Sequence, residues 1–198
     1  GKGATVALVT NRGFEDVLEI GRQDRPQLYA LVGRRPPPLV PAESRLGIAG
    51  RLGPQGEEIE PLDDDELTAL ADRVADTGAS SVAVCLLHAY ADGTHEERVA
   101  DALRALDRPI SVSSRLLPEY REFERTSTTV VNAYVAPVMG RYLERLESES
   151  GAAAVAVMAY EGRNLGLLAI GSSDAGHYET GMGTLFLEFA AEVMARRL

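Results

Sequence analysis

Residues 63–113 read DDDELTALADRVADTGASSVAVCLLHAYADGTHEERVADALRALDRPISVS, and the alternation of two textures in this stretch decides the fold class. Asp63 stands where a helix cap stands, with Glu66 three residues on in a box-like arrangement. Leu67, Leu70, Ala71 and Val74 then repeat at the helical period until Gly78 ends the segment. Ser81 to Leu87 is short and apolar, which suits a strand buried on both faces. Thr94-His95-Glu96-Glu97 reads as a second capping box, opening a helix with Val99, Ala102, Leu103 and Leu106 on one side. Pro109 to Ser113 supplies a further strand. With the β-branched run Thr5 to Val9 as the first strand, this order predicts an α/β fold, a three-layer parallel or mixed sheet with crossover helices.

Working outward, Arg12-Gly13 breaks the first strand before Phe14 to Ile20, where Phe14, Val17, Leu18 and Ile20 give a helical stripe. Seven of the ten prolines fall between Gly21 and Pro61, and each removes a backbone donor and fixes φ, so this is read as loop. Within it a hairpin is expected where Arg45 to Leu52 and Glu57 to Ile59 flank Gly53-Pro54-Gln55-Gly56. Downstream, a helical tract from Glu119 to about Glu149 is expected to be interrupted at Ala136-Pro137, and the β-branched cluster Thr126 to Val131 argues against uniform helicity. Beyond Ser150-Gly151 come two strands, Ala153 to Tyr160 and Leu165 to Ile170, around the turn Glu161-Gly162-Arg163-Asn164. A closing helix from about Met182 to Leu198 carries Phe186, Leu187, Phe189, Val193 and Met194 as a packing stripe. The expected organisation is an α/β segment over residues 1–115, a helical arm over 116–150, and a β-hairpin plus helix over 151–198.

Composition narrows the class of partner. With 45% hydrophobic and 25% charged residues the chain has the balance of a globular protein. Its formal net charge of −10 repels a phosphate backbone or an anionic bilayer, and its basic residues are dispersed, so neither nucleic acid nor membrane is expected as a partner. The single cysteine, Cys85, lies inside an apolar run and can form no intramolecular disulfide. No apolar stretch approaches the ~20 residues that cross a bilayer, and Gly1-Lys2-Gly3-Ala4 lacks a signal peptide's apolar core. A reducing cytoplasm is the expected home.

Three blocks carry a resemblance. The run VALVTNRGFEDVLEIGRQ over residues 6–23 is followed by Arg25-Pro26 and Leu28-Tyr29. Next come VAVCLLHAY over 82–90 with His95-Glu96, and LPEYREFERTSTTVVNAYV over 117–135. In this order they resemble the hydantoinase A/5-oxoprolinase family over about residues 4–147. The resemblance implies an ATP-dependent enzyme that opens cyclic amides such as hydantoins or 5-oxoproline, with ATP and magnesium as cofactors, an actin-like ATPase fold and a second subunit or domain. Its motif positions here are Arg12, Gly13, Asp16, Glu19, Gly21, Arg22 and Asn132, and the charged ones among them are read first as holding a loop or a subunit contact. The family's glycine-rich Asp-x-Gly-Gly-Thr phosphate loop has no counterpart in these residues. The chain alone is therefore expected to bind no cofactor, hydrolyse no ATP and open no hydantoin.

The tail has another likeness. GLLAIGSSD over 166–174, Tyr178, and GMGTLFLE over 181–188 are similar to the end of a small uncharacterised bacterial family with a GAF-like fold. The chain thus reads as two incomplete modules joined near residues 148–152, by gene fusion, by design or as a recombination artefact. The expected partner is a second hydantoinase-type subunit, or a second copy in a homodimer. A noncatalytic GAF-like interaction or dimerisation protein, and a chimeric remnant without selected function, are the alternative readings.

Among chemical candidates, His88 is well placed, because a parallel sheet presents ligands at the carboxyl ends of its strands. His88 with His95-Glu96 also invites a metal reading, but the spacing fits no established ligand pattern and helix-start chemistry is preferred. Glu119, Glu122 and Arg125, with Glu124 and Arg121, offer a general acid or base tuned by arginine, and solvated helical ion pairs explain the same pattern. Ser172, Ser173, Asp174 and His177 contain triad residue types but read as a turn. Gly181-Met182-Gly183 lacks the rest of a dinucleotide fingerprint.

Overall fold

The structure, a computed structural model, describes residues 3–22, 37–150, 152–160 and 163–172, with side chains up to residue 145. The chain divides into two compact units, Gly1–Val138 and Met139–Leu198. The elements of the first are β1 (Val6–Asn11), α1 (Val17–Ile20), β2 (Arg45–Ile48), β3 (Arg51–Leu52), β4 (Glu58–Glu60), α2 (Asp64–Asp76), β5 (Ser81–Val84), α3 (Thr94–Leu103), β6 (Ile110–Val112), α4 (Ser113–Leu116) and the first part of α5 (Glu122–Ser150). Among the described residues, no helix is long and apolar enough to cross a membrane.

The main sheet has the order β2-β1-β5-β6, and every pairing in it is parallel. Successive residues of a strand point to opposite faces, and both faces of this sheet are covered. Ala7, Val9, Val82 and Val84 pack on one side against Leu67, Leu70 and Val74 of α2 and Val99 and Leu103 of α3. Val6, Leu8, Ala83 and Cys85 pack on the other against Val130 and Ala133 of α5, with Leu18 of α1 at the margin. These are the three layers expected from the sequence. The faces follow from right-handed crossovers: α2 and α3 accompany steps from β2 past β1 to β5 and on to β6, while α1 accompanies the opposite step from β1 to β2. The direction reverses between β1 and β5, and the carboxyl ends of the strands at such a reversal are where open parallel sheets place ligands.

Several local expectations are corrected. Arg45 to Leu52 is not one hairpin arm. Arg45–Ile48 joins the main sheet beside β1, the chain turns at Gly50 (φ 97°), and only Arg51–Leu52 pairs with β4 in an antiparallel hairpin. Strand β5 stops at Val84, because beyond Cys85 its N–H groups are taken by side chains, Leu86 by Glu96 and Leu87 by Asn11. The stripe from Phe14 to Ile20 forms a single helical turn. Asp63 caps α2 as expected, accepting from the N–H groups of Asp65 and Glu66, but Glu66 does not reach back and its carboxylate accepts from Ala49 N–H at 2.8 Å. The box at Thr94 is absent. Asp92 accepts from both the N–H and the hydroxyl of Thr94, and Glu97 is drawn to Arg115.

Helix α5 runs through both Thr126 to Val131 and Pro137 without a break. Tertiary packing of Val130 and Ala133 outweighs the weak intrinsic preference of the β-branched cluster, and Thr129 folds its hydroxyl back onto the carbonyl of Arg125 at 2.8 Å. Pro137 removes one backbone donor from a 29-residue helix, a loss too small to end it. In the second unit, β7 (Ala152–Tyr160) and β8 (Arg163–Ser172) pair antiparallel as the expected hairpin, with Arg163 and Asn164 in the strand rather than in the turn. Ser173, Asp174, His177, Gly181 to Gly183 and the closing helix lie outside the described residues, as does the motif portion Gln23 to Tyr29.

Candidate functional site

Strand β1 is apolar until its last two residues, Thr10 and Asn11, which are both buried. A buried amide must find partners. Asn11 accepts from Leu87 N–H at 2.6 Å and donates from Nδ2 to the carbonyl of Gly50 at 2.5 Å, so it ties the end of β1 to the segments that follow β5 and β2 on its two sides. Asn11 is not among the residues that local sequence patterns single out. Its signal was a polar amide closing an otherwise apolar strand.

His88 follows β5 in the left-handed backbone region, φ 57°, which is unusual for a residue with a Cβ and is found at functional sites. Its Nδ1 lies 2.7 Å from the carbonyl oxygen of Leu52. A carbonyl only accepts, so Nδ1 carries the proton, and in the neutral ring the lone pair sits on Nε2. Tyr90 meets the imidazole edge to face, with ring centroids 6.0 Å apart.

Glu122 and Arg125 stand next to His88. Burial pushes the pKa of the Glu122 carboxyl up, against the opposing pull of Arg125 and His88. Arg125 has 0% exposure. Its guanidinium donates to the carbonyls of Glu119 (2.8 Å) and Leu86 (2.6 Å) and to Glu122 Oε2 (2.6 Å), lies over the Tyr90 ring, and leaves Nε without a partner. Of the sequence candidates, His88, Glu122 and Arg125 therefore come together. Glu119 contributes only its backbone carbonyl.

Two neighbours frame this centre. Cys85 Sγ is 3.2 Å from Thr126 Oγ1, and burial raises the thiol's pKa, which keeps it protonated and inert. Glu96, wholly buried in the first turn of α3, accepts from Leu86 N–H (2.8 Å), Ser113 hydroxyl (2.6 Å) and Ser114 N–H (2.8 Å). Its carboxylate thus joins β5 to α4. His95 pairs with Glu58 at 2.9 Å. Among the described residues, no three His, Cys, Asp or Glu side chains are grouped to hold a metal ion.

The motif positions after β1 form a second group. Asp16 and Glu19 each meet Arg45 Nη1 at 3.0 Å, Arg12 meets Glu66 at 2.8 Å, and Arg22 meets Glu124 at 2.8 Å while lying over Phe123. Gly13 and Gly21 supply the positive φ values of this turn. Asn132, on α5, donates to the hydroxyl of Ser111 within β6 (2.9 Å). These contacts run between elements rather than into a common centre. A cleft lined by Asn11, Arg12, Gly50, Arg51 and Glu60, among others, opens between the β1 and β2 ends and the β3–β4 hairpin.

Known proteins share this architecture. The caprolactamase subunit alpha of Pseudomonas jessenii is 37% identical over 150 residues, which is 74% of this chain and 22% of that protein. The crystal structure of that organism's ATP-dependent caprolactamase superposes with a TM-score of 0.67 at 36% identity, again over 74% of this chain and 22% of that one. The 5-oxoprolinase 1 of Arabidopsis thaliana is 35% identical over 160 residues, 72% of this chain and 13% of the relative. A nucleotide-free acetone carboxylase structure matches with a TM-score of 0.62 at 27% identity, over 72% of this chain and 23% of that one. The chain thus spans about a fifth or less of the length of these relatives. Residues 133–198 separately match a family described as a protein of unknown function, DUF484. Residues 1–106, more than half of the chain, match the hydantoinase/oxoprolinase N-terminal region, and the chain belongs to that family.

Proposed function

We propose that this chain is the α/β segment of an ATP-dependent enzyme acting on cyclic amides, and that it frames the active assembly without gripping the nucleotide itself. The observation that carries the reading is the match of its parallel sheet to an ATP-dependent caprolactamase, at 36% identity and a TM-score of 0.67. A structure of acetone carboxylase, the enzyme of ATP-dependent acetone carboxylation, carries the same segment. Relatives named for different reactions share it, so it contributes what they have in common rather than the choice of substrate. Its 198 residues hold no Asp-x-Gly-Gly-Thr stretch, whose consecutive backbone donors are the means of holding phosphate oxygens. The work of binding ATP then falls to a hydantoinase-type partner subunit or domain.

The polar centre of His88, Glu122 and Arg125 fits this role. It sits at the carboxyl edge of the sheet, where α/β proteins place ligands, and its buried cation fixes the strand end and the helix start in one geometry. A ligand that binds only the native state raises its melting point. Magnesium ATP added to the purified chain is therefore expected to leave the melting temperature unchanged and to give no phosphate release above buffer background. A melting shift or steady turnover with the chain alone would sink the proposal.

A further inference from the structure

We propose that the β3–β4 hairpin, residues 51–60, is a hinged strap held closed over the carboxyl edge of the sheet by side chains from three separate elements. The strands of this hairpin are two and three residues long, with an irregular register, and β4 is exposed throughout. An isolated two-stranded hairpin is marginal in water even when longer. Its position must therefore come from outside, and three clasps supply it. At the root, the Asn11 amide donates to the carbonyl of Gly50. In the middle, His88 Nδ1 donates to the carbonyl of Leu52, whose side chain is buried beneath. On the returning strand, His95 Nε2 meets the Glu58 carboxylate at 2.9 Å.

The root is built to turn. Gly50 has φ 97° and Pro61 follows β4, so the ten-residue strap lies between a residue of free backbone and one of fixed backbone. At the tip, Gly56 (φ 86°) sits so close to the turn at Ala91 and Asp92 that a Cβ there would come within 3.1 Å of Asp92 Cβ. The strap also walls the cleft, through Arg51 and Glu60. Lifting it about Gly50 releases the His88 imidazole from Leu52, and His88 belongs to the polar centre with Glu122 and Arg125. The strap therefore governs access to the polar centre, whichever ligand that centre takes.

Hydrogen exchange on the whole chain tests this directly. Glu58→Ala removes the outer clasp at a half-exposed side chain, where the core is untouched. His88→Ala removes the middle one. Freed of a clasp, the hairpin spends more time open, and because it does not hold together alone, its amides exchange when it lifts. Amides in residues 52–60 are expected to exchange about tenfold faster in either variant, while those of β1 and β5 keep their rates. Unchanged exchange across 52–60 in Glu58→Ala overturns the strap. So does a rise of equal size in β1 and β5, since that would mark general loosening rather than a hinge.

Discussion

The guanidinium of Arg125, on α5, donates to the backbone carbonyl of Leu86 at 2.6 Å, so a wholly buried cation closes the carboxyl end of β5. A strand that leaves its ladder must satisfy its remaining backbone groups elsewhere. Here the N–H of Leu86 goes to Glu96 and its carbonyl to Arg125, so the two backbone groups of a single residue meet side chains of opposite sign. The two helical layers are thereby fastened to the same residue, which fixes where His88 emerges. The polar centre is then a consequence of how β5 ends.

Removing the cation should be costly. Arg125→Ala would strip a partner from Leu86, Glu119 and Glu122 at once and leave the Glu122 carboxyl part-buried beside no cation. Breaking one side of a buried pair costs about 3 kcal/mol. Arg125→Lys is expected to recover little, because an ammonium cannot fork toward three acceptors set in different directions. Urea denaturation with an unchanged m-value measures both, and a loss under about 1 kcal/mol for the alanine variant would contradict the role given to this residue.

Glu96→Gln is nearly isosteric and should still destabilise. Both carboxylate oxygens accept, Oε1 from Leu86 N–H and Ser113 hydroxyl and Oε2 from Ser114 N–H. A glutamine amide turned either way sets its own N–H₂ against a backbone donor in a fully buried place. Leaving such a donor unsatisfied costs about 2 kcal/mol. Glu97→Gln, one residue on and exposed, is expected to change stability by less than about 0.5 kcal/mol, and equal losses in the two would refute the assignment.

Two glycines separate backbone strain from crowding. Gly13 and Gly50 both have φ near 90°, but a Cβ at Gly13 meets nothing within 4 Å while one at Gly50 would lie 2.7 Å from Leu62 Cδ2 and 3.2 Å from Leu62 Cα. Gly13→Ala is expected to cost about 1 kcal/mol and Gly50→Ala about 1 kcal/mol more. Thermal unfolding of the two variants gives the order, and a Gly13 variant as unstable as the Gly50 variant would mean that crowding adds nothing.

The sheet and its layers were legible in the sequence because apolar period alone decides them: Val6 to Val9 and Val82 to Val84 could only be central strands, and Leu67, Leu70 and Val74 only the buried face of a helix. Three of the four residues singled out for chemistry, His88, Glu122 and Arg125, do meet, although they are up to 37 positions apart in the chain, because one lies just beyond a strand and two begin the helix that packs on the sheet. What could not be read was the choice of partner for each carboxylate. Glu66 and Glu97 sit where capping-box acids sit, yet Ala49 N–H and Arg115 compete for them across tertiary distances that no local pattern encodes. Pro137 misled for the same reason, since a helix already held by Val130 and Ala133 tolerates one missing donor.

Asp92 gives the pH dependence a definite sign. The hydroxyl of Thr94 is the main cause, and its N–H the next, that hold this carboxyl below the usual aspartate range in the fold. A carboxyl depressed on folding contributes stability that is present above its unfolded value and is lost as pH falls through the folded one. The side chain is exposed, so the contribution is screened and stays near that of an ordinary helix-start acid, about 1 kcal/mol. Asp92→Ala is therefore expected to lose that amount at pH 7. The gap from the parent should begin to narrow below about pH 4 and vanish once Asp92 is protonated in the folded state as well. Glu122 works in the opposite sense, because burial raises its carboxyl and charging it opposes folding as pH climbs through that range. Denaturation midpoints of the parent and the Asp92 variant, measured from pH 7 down to pH 2.5, should thus converge only at the acid end, and a gap that stays constant throughout would show that the Asp92 charge contributes nothing.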